Sequence, residues 1–156
     1  MRAKVLPPSD APLLGVYGTL LDAEVRRLVL GRCQARPALL VGWERVFVAG
    51  QVYPGVRPCA GALTDILVLH GLSARALARG DAFEGAEYGR QMLPVQYKDG
   101  SSGQAMVYVP TASVRLSDRR WRYNWSWRTA HRQAFLEMTR AAVAARKSVV
   151  RGRAGR

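Results

Sequence analysis

The stretch from Leu13 to Leu21, LLGVYGTLL, constrains the fold most, because an apolar run meets a glycine and leads directly into a helical pattern. Asp22 fits the N-cap of that helix, which the pattern extends to Leu30. A strand, a glycine turn and a helix start leave backbone N–H groups without partners, and such groups attract negative charge. Gly18 would let a ligand approach the backbone closely. An ordinary buried strand followed by a tight turn is the alternative.

Length and composition predict one domain of 156 residues without membrane, disulfide or metal chemistry. No apolar run reaches the roughly 20 residues of a membrane helix, and residues 1–8 lack the apolar segment of a secretory signal. Two cysteines and two histidines stand in unrelated contexts, so we expect a cytoplasmic protein without a cofactor or metal. These four residues are Cys33, Cys59, His70 and His131.

The net charge of +13 is concentrated near the C-terminus. Residues 1–114 carry 12 basic and 9 acidic side chains, whereas residues 115–156 carry 12 basic and 2 acidic ones. Nucleic acid or an anionic surface could bind this region, and a solvated arginine tail without a partner is the alternative. We expect an N-terminal arm at 1–12, a single domain at 13–147, and a disordered basic tail at 148–156.

The order of predicted elements is typical of an α+β fold. After the first strand and helix, further strands are predicted at 38–48, 59–67, 88–97 and 104–109, with a helix from 74 that ends near Gly85. Residues 31–37 and 50–58 are expected to be connectors, because Pro54–Gly55 disfavours a central strand. From about Asn124 the pattern is helical, with Trp127, Phe135, Met138 and Ala142 near one face. A small curled sheet or barrel follows from this order.

Glu84 is the candidate catalytic residue. It lies between Phe83 and Gly85 at the end of a predicted helix, where a partly dry environment would raise its carboxyl pKa. A carboxyl group of that kind can serve as a base and then as an acid near neutral pH. A solvated glutamate at a helix end is the alternative.

Four blocks resemble the gamma-glutamylcyclotransferase-like family, in the family's order and over about residues 13–140. Val16–Leu20 is similar to its tyrosine–glycine–serine/threonine–leucine signature, and Tyr53–Gly55 is similar to its tyrosine–proline crossing. Asp81–Arg90 resembles its acidic block, and Ala105–Val109 resembles its closing strand. The chain departs from the family at Gly80, where leucine usually precedes the block's aspartate, so a lost apolar contact is expected beside Glu84.

The resemblance implies a small mixed β-barrel with flanking helices and a long C-terminal helix. It implies that Glu84 is the general acid/base, and that a small gamma-glutamyl substrate is bound by Tyr17, Gly18, Thr19, Leu20, Tyr88 and Tyr108. In the implied reaction, the α-amine attacks the γ-carbonyl and releases 5-oxoproline and a free amine. The sequence does not indicate which amine is released. A non-catalytic protein that binds a small ligand in the same cavity, or a nucleic-acid-binding protein acting through the basic region, are the alternatives.

Overall fold

The computed structural model describes residues 12–154, with side chains described as far as Lys147. The predicted arm at 1–12 lies almost entirely outside this description, whereas the backbone of the predicted tail at 148–156 is described as far as Ala154, where α3 ends. The strands are β1 Leu14–Val16, β2 Gln34–Val48, β3 Pro54–His70, β4 Tyr88–Tyr97, β5 Ser102–Pro110 and β6 Leu116–Arg120. The helices are α1 Ala23–Leu30, α2 Ala74–Glu84 and α3 Trp125–Ala154, and a 3-10 turn spans Thr19–Leu21.

Five strands close into a barrel in the order β3-β1-β5-β4-β2, because β2 pairs again with β3. The pair β1–β5 is parallel, with Leu14 opposite Met106, whereas the other pairs are antiparallel. Strand β6 extends the sheet from the outer part of β2. The predicted α+β fold, a small mixed barrel with flanking helices and a long C-terminal helix, is confirmed.

Strands β2 and β3 form a long hairpin that begins earlier in both strands than predicted. Their register runs from Gln34 opposite His70 to Phe47 opposite Pro54, with an irregularity at Gly42, whose φ is 82°. The prediction that residues 31–37 and 50–58 are connectors is therefore wrong for 34–37 and 54–58, which belong to these strands. Pro54 is tolerated because it is the first residue of its strand, where a ladder N–H is not required.

Strand β6 was not predicted. It pairs with β2 at Val46 and Val48, and backbone hydrogen bonds at both ends hold it there. The N–H of Ala49 donates to the Arg115 carbonyl at 2.8 Å, and the N–H of Trp121 donates to the Arg45 carbonyl at 3.3 Å. The strand thus depends on a distant partner, since its own sequence, LSDRR, has little apolar patterning.

Helices α1 and α2 have the ends that the sequence predicts. The Asp22 carboxylate accepts hydrogen bonds from the N–H groups of Glu24 and Val25 at 3.0 and 3.1 Å. The Ser73 hydroxyl accepts one from the Ala76 N–H at 3.1 Å. Gly85 follows α2 with a φ of 76°, which glycine adopts readily.

The buried face of α3, which packs on α1, agrees with the predicted one at Trp127 and Phe135 and differs from it further along the helix. Leu136 and Thr139 are buried, whereas Met138 is 58% exposed. Arg132 reaches Asp22 at 2.6 Å and Glu24 at 2.9 Å, so part of the C-terminal positive charge is used in ion pairs within the fold. In the part of the chain that the structure describes, no helix combines the length and apolar character needed to cross a membrane.

Candidate active site

A cavity of about 190 Å³ opens where the barrel meets α2 and α3. All seven residues predicted for the site line it, although they are spread over about ninety residues of chain. They are Tyr17, Gly18, Thr19, Leu20, Glu84, Tyr88 and Tyr108. The structure thus brings the two sequence blocks together around one space. The individual roles of these residues stay predictions.

The 3-10 turn after β1 leaves three backbone donors free. The N–H of Leu21 donates to the Gly18 carbonyl at 2.9 Å, and the N–H of Asp22 donates to the Thr19 carbonyl at 3.1 Å. No hydrogen bond within the described residues uses the N–H groups of Gly18, Thr19 or Leu20. Gly18 packs against Pro54, because a Cβ at Gly18 would lie 3.0 Å from the proline Cγ. The turn therefore offers up to three N–H donors beside the cavity.

Arg45 holds the base of this turn. Its guanidinium donates to the carbonyl oxygens of Tyr17 and Asp65, both at 2.9 Å, and to that of Trp121 at 3.0 Å. These three carbonyls belong to separate segments, so one side chain ties the turn to β3 and to the segment before α3. Arg45 does not line the cavity. The N–H donors of its guanidinium group are already engaged in hydrogen bonds to these backbone oxygens.

Asp22 fixes the other end of the turn. It is 2% exposed, it caps α1, and it accepts hydrogen bonds from Tyr123 at 2.5 Å and from Arg132 at 2.6 Å. Burial alone would raise the pKa of this carboxyl, but the hydrogen bonds from Arg132 and Tyr123 outweigh burial and lower the pKa. Asp22 therefore connects α1 and α3 through its side chain, and its backbone N–H connects them to the 3-10 turn at Thr19–Leu21, here called the donor turn.

Glu84 is the last residue of α2 and its partly buried side chain faces the cavity. Within the described residues, its carboxylate has no hydrogen-bond or ion-pair partner, unlike that of Asp22. Burial raises the pKa of Glu84 from 4.5 to about 8, because protein atoms replace the water that would stabilise the charged form. Glu84 is thus able to gain and lose a proton near neutral pH.

The three tyrosines form the frame of the cavity. The Tyr17 hydroxyl donates to the Tyr108 carbonyl at 2.6 Å, and the Tyr88 hydroxyl donates to the Pro54 carbonyl at 3.0 Å. The Tyr108 hydroxyl donates to Asp81 Oδ1 at 2.8 Å. Burial raises the pKa of each of these phenols above its ordinary value of 10.0. They stay protonated near neutral pH, and their hydroxyl protons are already bound within the protein.

Helix α2 is packed closely at Gly80, the position at which the sequence predicts the loss of an apolar contact. A Cβ at Gly80 would lie 2.7 Å from the Tyr108 Oη and 3.1 Å from Leu30 Cδ2, so other side chains already fill this space. Asp81 binds the Tyr108 hydroxyl and forms an ion pair with Arg90 at 3.0 Å. The expected lost contact is therefore wrong, since the glycine makes room for the tyrosine one turn before Glu84.

Other lining residues were not predicted for the site. They are Val16, Tyr53, Pro54, Phe83, Glu87, Phe135 and Met138. The Tyr53–Pro54 crossing was a usable signal, because it belongs to one of the resembling blocks. Phe135 and Met138 lie three positions apart, the spacing of neighbours on one helix face, but the sequence does not indicate what that face contacts. Of the lysine and arginine side chains that the structure describes, none lines the cavity.

Comparisons with known proteins identify the class to which this fold and site belong. The fold is shared with a solved gamma-glutamyl cyclotransferase, with a TM-score of 0.58 and 17% identity over 67% of this chain and 68% of that one. It is also shared with an Arabidopsis thaliana protein solved in solution, with a TM-score of 0.62 and 26% identity over 87% and 93% of the two chains.

A sequence model of the family described as gamma-glutamyl cyclotransferase, AIG2-like, matches residues 14–129. AIG2-like protein D of Arabidopsis thaliana is 32% identical over 131 residues, which cover 80% of this chain and 84% of that protein. The chain belongs to the gamma-glutamyl cyclotransferase, AIG2-like family. The family suggested by the sequence blocks is thereby confirmed.

Proposed function

We propose that this protein is a gamma-glutamyl cyclotransferase in which Glu84 is the general acid/base. The observation that carries the proposal is the pairing, in one small cavity, of a carboxyl group with a pKa of about 8 and a turn with free N–H donors. Acyl transfer needs both a proton carrier and donors for a developing oxyanion. Family membership adds the reaction class.

The reaction begins with the α-ammonium group of the substrate. Its proton passes to the Glu84 carboxylate, and the neutral nitrogen attacks the γ-carbonyl carbon to close a five-membered ring. The pKa of about 8 at Glu84 is far closer to that of an α-ammonium group than the ordinary glutamate pKa of about 4.3. The raised pKa of Glu84 therefore lowers the free-energy cost of moving the proton from the nitrogen to the carboxylate.

The N–H groups of Gly18, Thr19 and Leu20 are the proposed donors to the tetrahedral oxyanion. Glu84 then gives its proton to the departing nitrogen while the bond between that nitrogen and the γ-carbon breaks. The carboxylate so formed takes the second proton from the ring nitrogen, which becomes the N–H of 5-oxoproline. The departing amine accepts that proton from Glu84 and leaves as an ammonium ion, and Glu84 returns to the carboxylate form. Holding the substrate curled supplies much of the rate, because the nucleophile and the electrophile belong to the same molecule.

The test is release of 5-oxoproline from a panel of gamma-glutamyl amides and gamma-glutamyl amino acids. We expect Glu84→Gln to lower turnover roughly 100-fold or more while the affinity for intact substrate, measured by calorimetry, changes far less. The matched control is Glu137→Gln, because Glu137 is an exposed acid that does not line the cavity. The wild-type kcat/KM should rise with pH up to about pH 8, because Glu84 must be in its carboxylate form to accept the proton from the substrate.

Two results would contradict this proposal. Turnover by Glu84→Gln within a few-fold of wild type would exclude Glu84 as the acid/base. Binding of gamma-glutamyl compounds without release of 5-oxoproline from any of them would favour the non-catalytic alternative. Titration with nucleic acid at two salt concentrations tests the basic region separately, because electrostatic binding weakens steeply as salt rises.

A further inference from the structure

We infer that helix α3 builds the subsite for the leaving amine, and that its residues Phe135 and Met138 select amines with an apolar chain next to the reacting nitrogen. This inference rests on the proposed function, which assigns the glutamyl part of the substrate to the donor turn and Glu84. The inference concerns the leaving amine, which the proposed reaction does not specify. The family match ends at residue 129, so both residues lie outside the segment that the family model matches.

Phe135 forms a fixed apolar surface on one side of the cavity. It is 9% exposed, and its ring lies edge-on to Phe83 with centroids 6.3 Å apart. Trp127 packs against it at 6.1 Å. A ring held between two other rings contributes apolar contact area without having to be ordered by the ligand.

Met138 continues this surface one helical turn further along α3. It lines the cavity, yet it is 58% exposed, although a thioether side chain gains free energy when it is buried. A flexible methionine at the rim of a pocket adapts to apolar groups of different shape. An alkyl chain that leaves the cavity past Phe135 would cover Met138 and remove its exposed surface from water.

The position of α3 relative to the donor turn is fixed by ion pairs on both sides of these residues. Arg132 binds Asp22 at 2.6 Å, and Arg140 binds Glu24 at 2.7 Å. Asp22 also donates its backbone N–H to the Thr19 carbonyl of the donor turn at 3.1 Å. Phe135 and Met138 on α3 and the N–H groups of the donor turn are therefore held in a fixed relative position by these ion pairs and this hydrogen bond.

The remaining lining disfavours a leaving group that carries a negative charge. Among the residues whose side chains the structure describes, the charged ones that line the cavity are Glu84 and Glu87. Burying a polar group against an apolar wall without a hydrogen-bond partner lowers affinity. The affinity of the subsite should therefore increase with the length of the alkyl chain. Each methylene that contacts Phe135 or Met138 raises the affinity roughly two- to fourfold.

The test is a series of gamma-glutamyl n-alkylamides from methyl to pentyl. We expect the wild-type kcat/KM to rise along the series, and Met138→Gln, which keeps the length of the side chain, to reduce the pentyl-to-methyl ratio about tenfold. Met92→Gln is the matched control, because Met92 is 56% exposed on β4 and does not line the cavity. It should leave the ratio unchanged.

Dissociation constants measured by calorimetry on Glu84→Gln separate this inference from the proposed function. A chain-length preference in binding that the added substitution Met138→Gln removes supports the α3 subsite. If the wild type then releases no 5-oxoproline from these amides, the proposed reaction alone fails. A flat series, or a ratio that Met138→Gln leaves unchanged, overturns the inference. Failure of every alkylamide to bind overturns both.

Discussion

Replacing Glu84 by glutamine should remove a pH-dependent cost in the stability of the folded protein. Burial raises the pKa of this carboxyl from 4.5 to about 8. Between these pH values the unfolded chain has released the proton while the folded chain still holds it. The free energy of unfolding of the wild type therefore falls with rising pH, by about 1.4 kcal/mol per pH unit relative to Glu84→Gln. Below pH 4.5 and above about pH 8 the two curves run parallel.

The full size of this effect follows from the two pKa values. If the carboxyl were completely shielded from water, the variant would gain up to about 5 kcal/mol over the wild type on going from pH 4 to pH 9. The side chain of Glu84 opens into the cavity and is only partly buried. Solvation from that side makes this figure an upper limit. The sign is independent of this correction, because a carboxyl with a raised pKa is always a destabilising charge at high pH.

Urea unfolding between pH 5 and pH 9 measures this difference. Trp121 and Trp127 are buried, so tryptophan fluorescence reports the loss of the fold, and equal m-values in the two proteins would justify comparing midpoints. Glu137→Gln is measured in parallel, and its curve corrects for the loss of one negative charge from the surface. Stability curves of wild type and Glu84→Gln that stay parallel from pH 5 to pH 9 would refute the assignment of a buried, unpaired carboxyl.

Two further substitutions test the supports of the site. Gly80→Ala should destabilise the protein by about 1–3 kcal/mol in the same urea assay, because the new Cβ would meet the Tyr108 hydroxyl at 2.7 Å; an unchanged midpoint would show that this contact yields freely. Asp22→Asn should lower stability by about 1–3 kcal/mol at pH 7, because it removes the buried charge that accepts hydrogen bonds from Arg132 and Tyr123, although Glu24 still pairs with Arg132. The stabilisation by Asp22 is present above its ordinary pKa of 3.8 and is lost as the pH falls below that value, because its folded-state pKa is lowered. A variant whose deficit persists undiminished at pH 2 would contradict this explanation.

The sequence predicted those features that depend on local chemistry. The caps at Asp22 and Ser73 and the glycine after α2 are set by side chains within three residues of the helix ends, and the structure confirms them. The grouping of Tyr17 and Glu84 in one cavity was expected from the resemblance of two separate blocks to one family. Nothing in the spacing of these two residues alone predicts that they meet.

The features that the sequence did not predict depend on partners far along the chain. Strand β6 exists because β2 offers it hydrogen bonds at Val46 and Val48, about seventy residues earlier. Along α3, Phe135, Leu136 and Met138 are apolar and close together in the sequence, so the apolar face could be placed on Met138 or on Leu136. Packing against α1 decides for Leu136. The fold class was accessible from the order of elements, whereas this choice needed the tertiary contacts.

The parallel pairing of β1 with β5 has a consequence for how the chain folds. β1 is only three residues long, and its partners on β5 lie about ninety residues later in the sequence. Contacts between such distant segments form slowly, because a large loop must close before the contact stabilises it. We expect the long β2–β3 hairpin to form early and the insertion of β1 between β3 and β5 to be the slow step. A chain arrested before that step would have most of its secondary structure but no cavity, since Tyr17 and the donor turn reach Tyr108 only when β1 is in place.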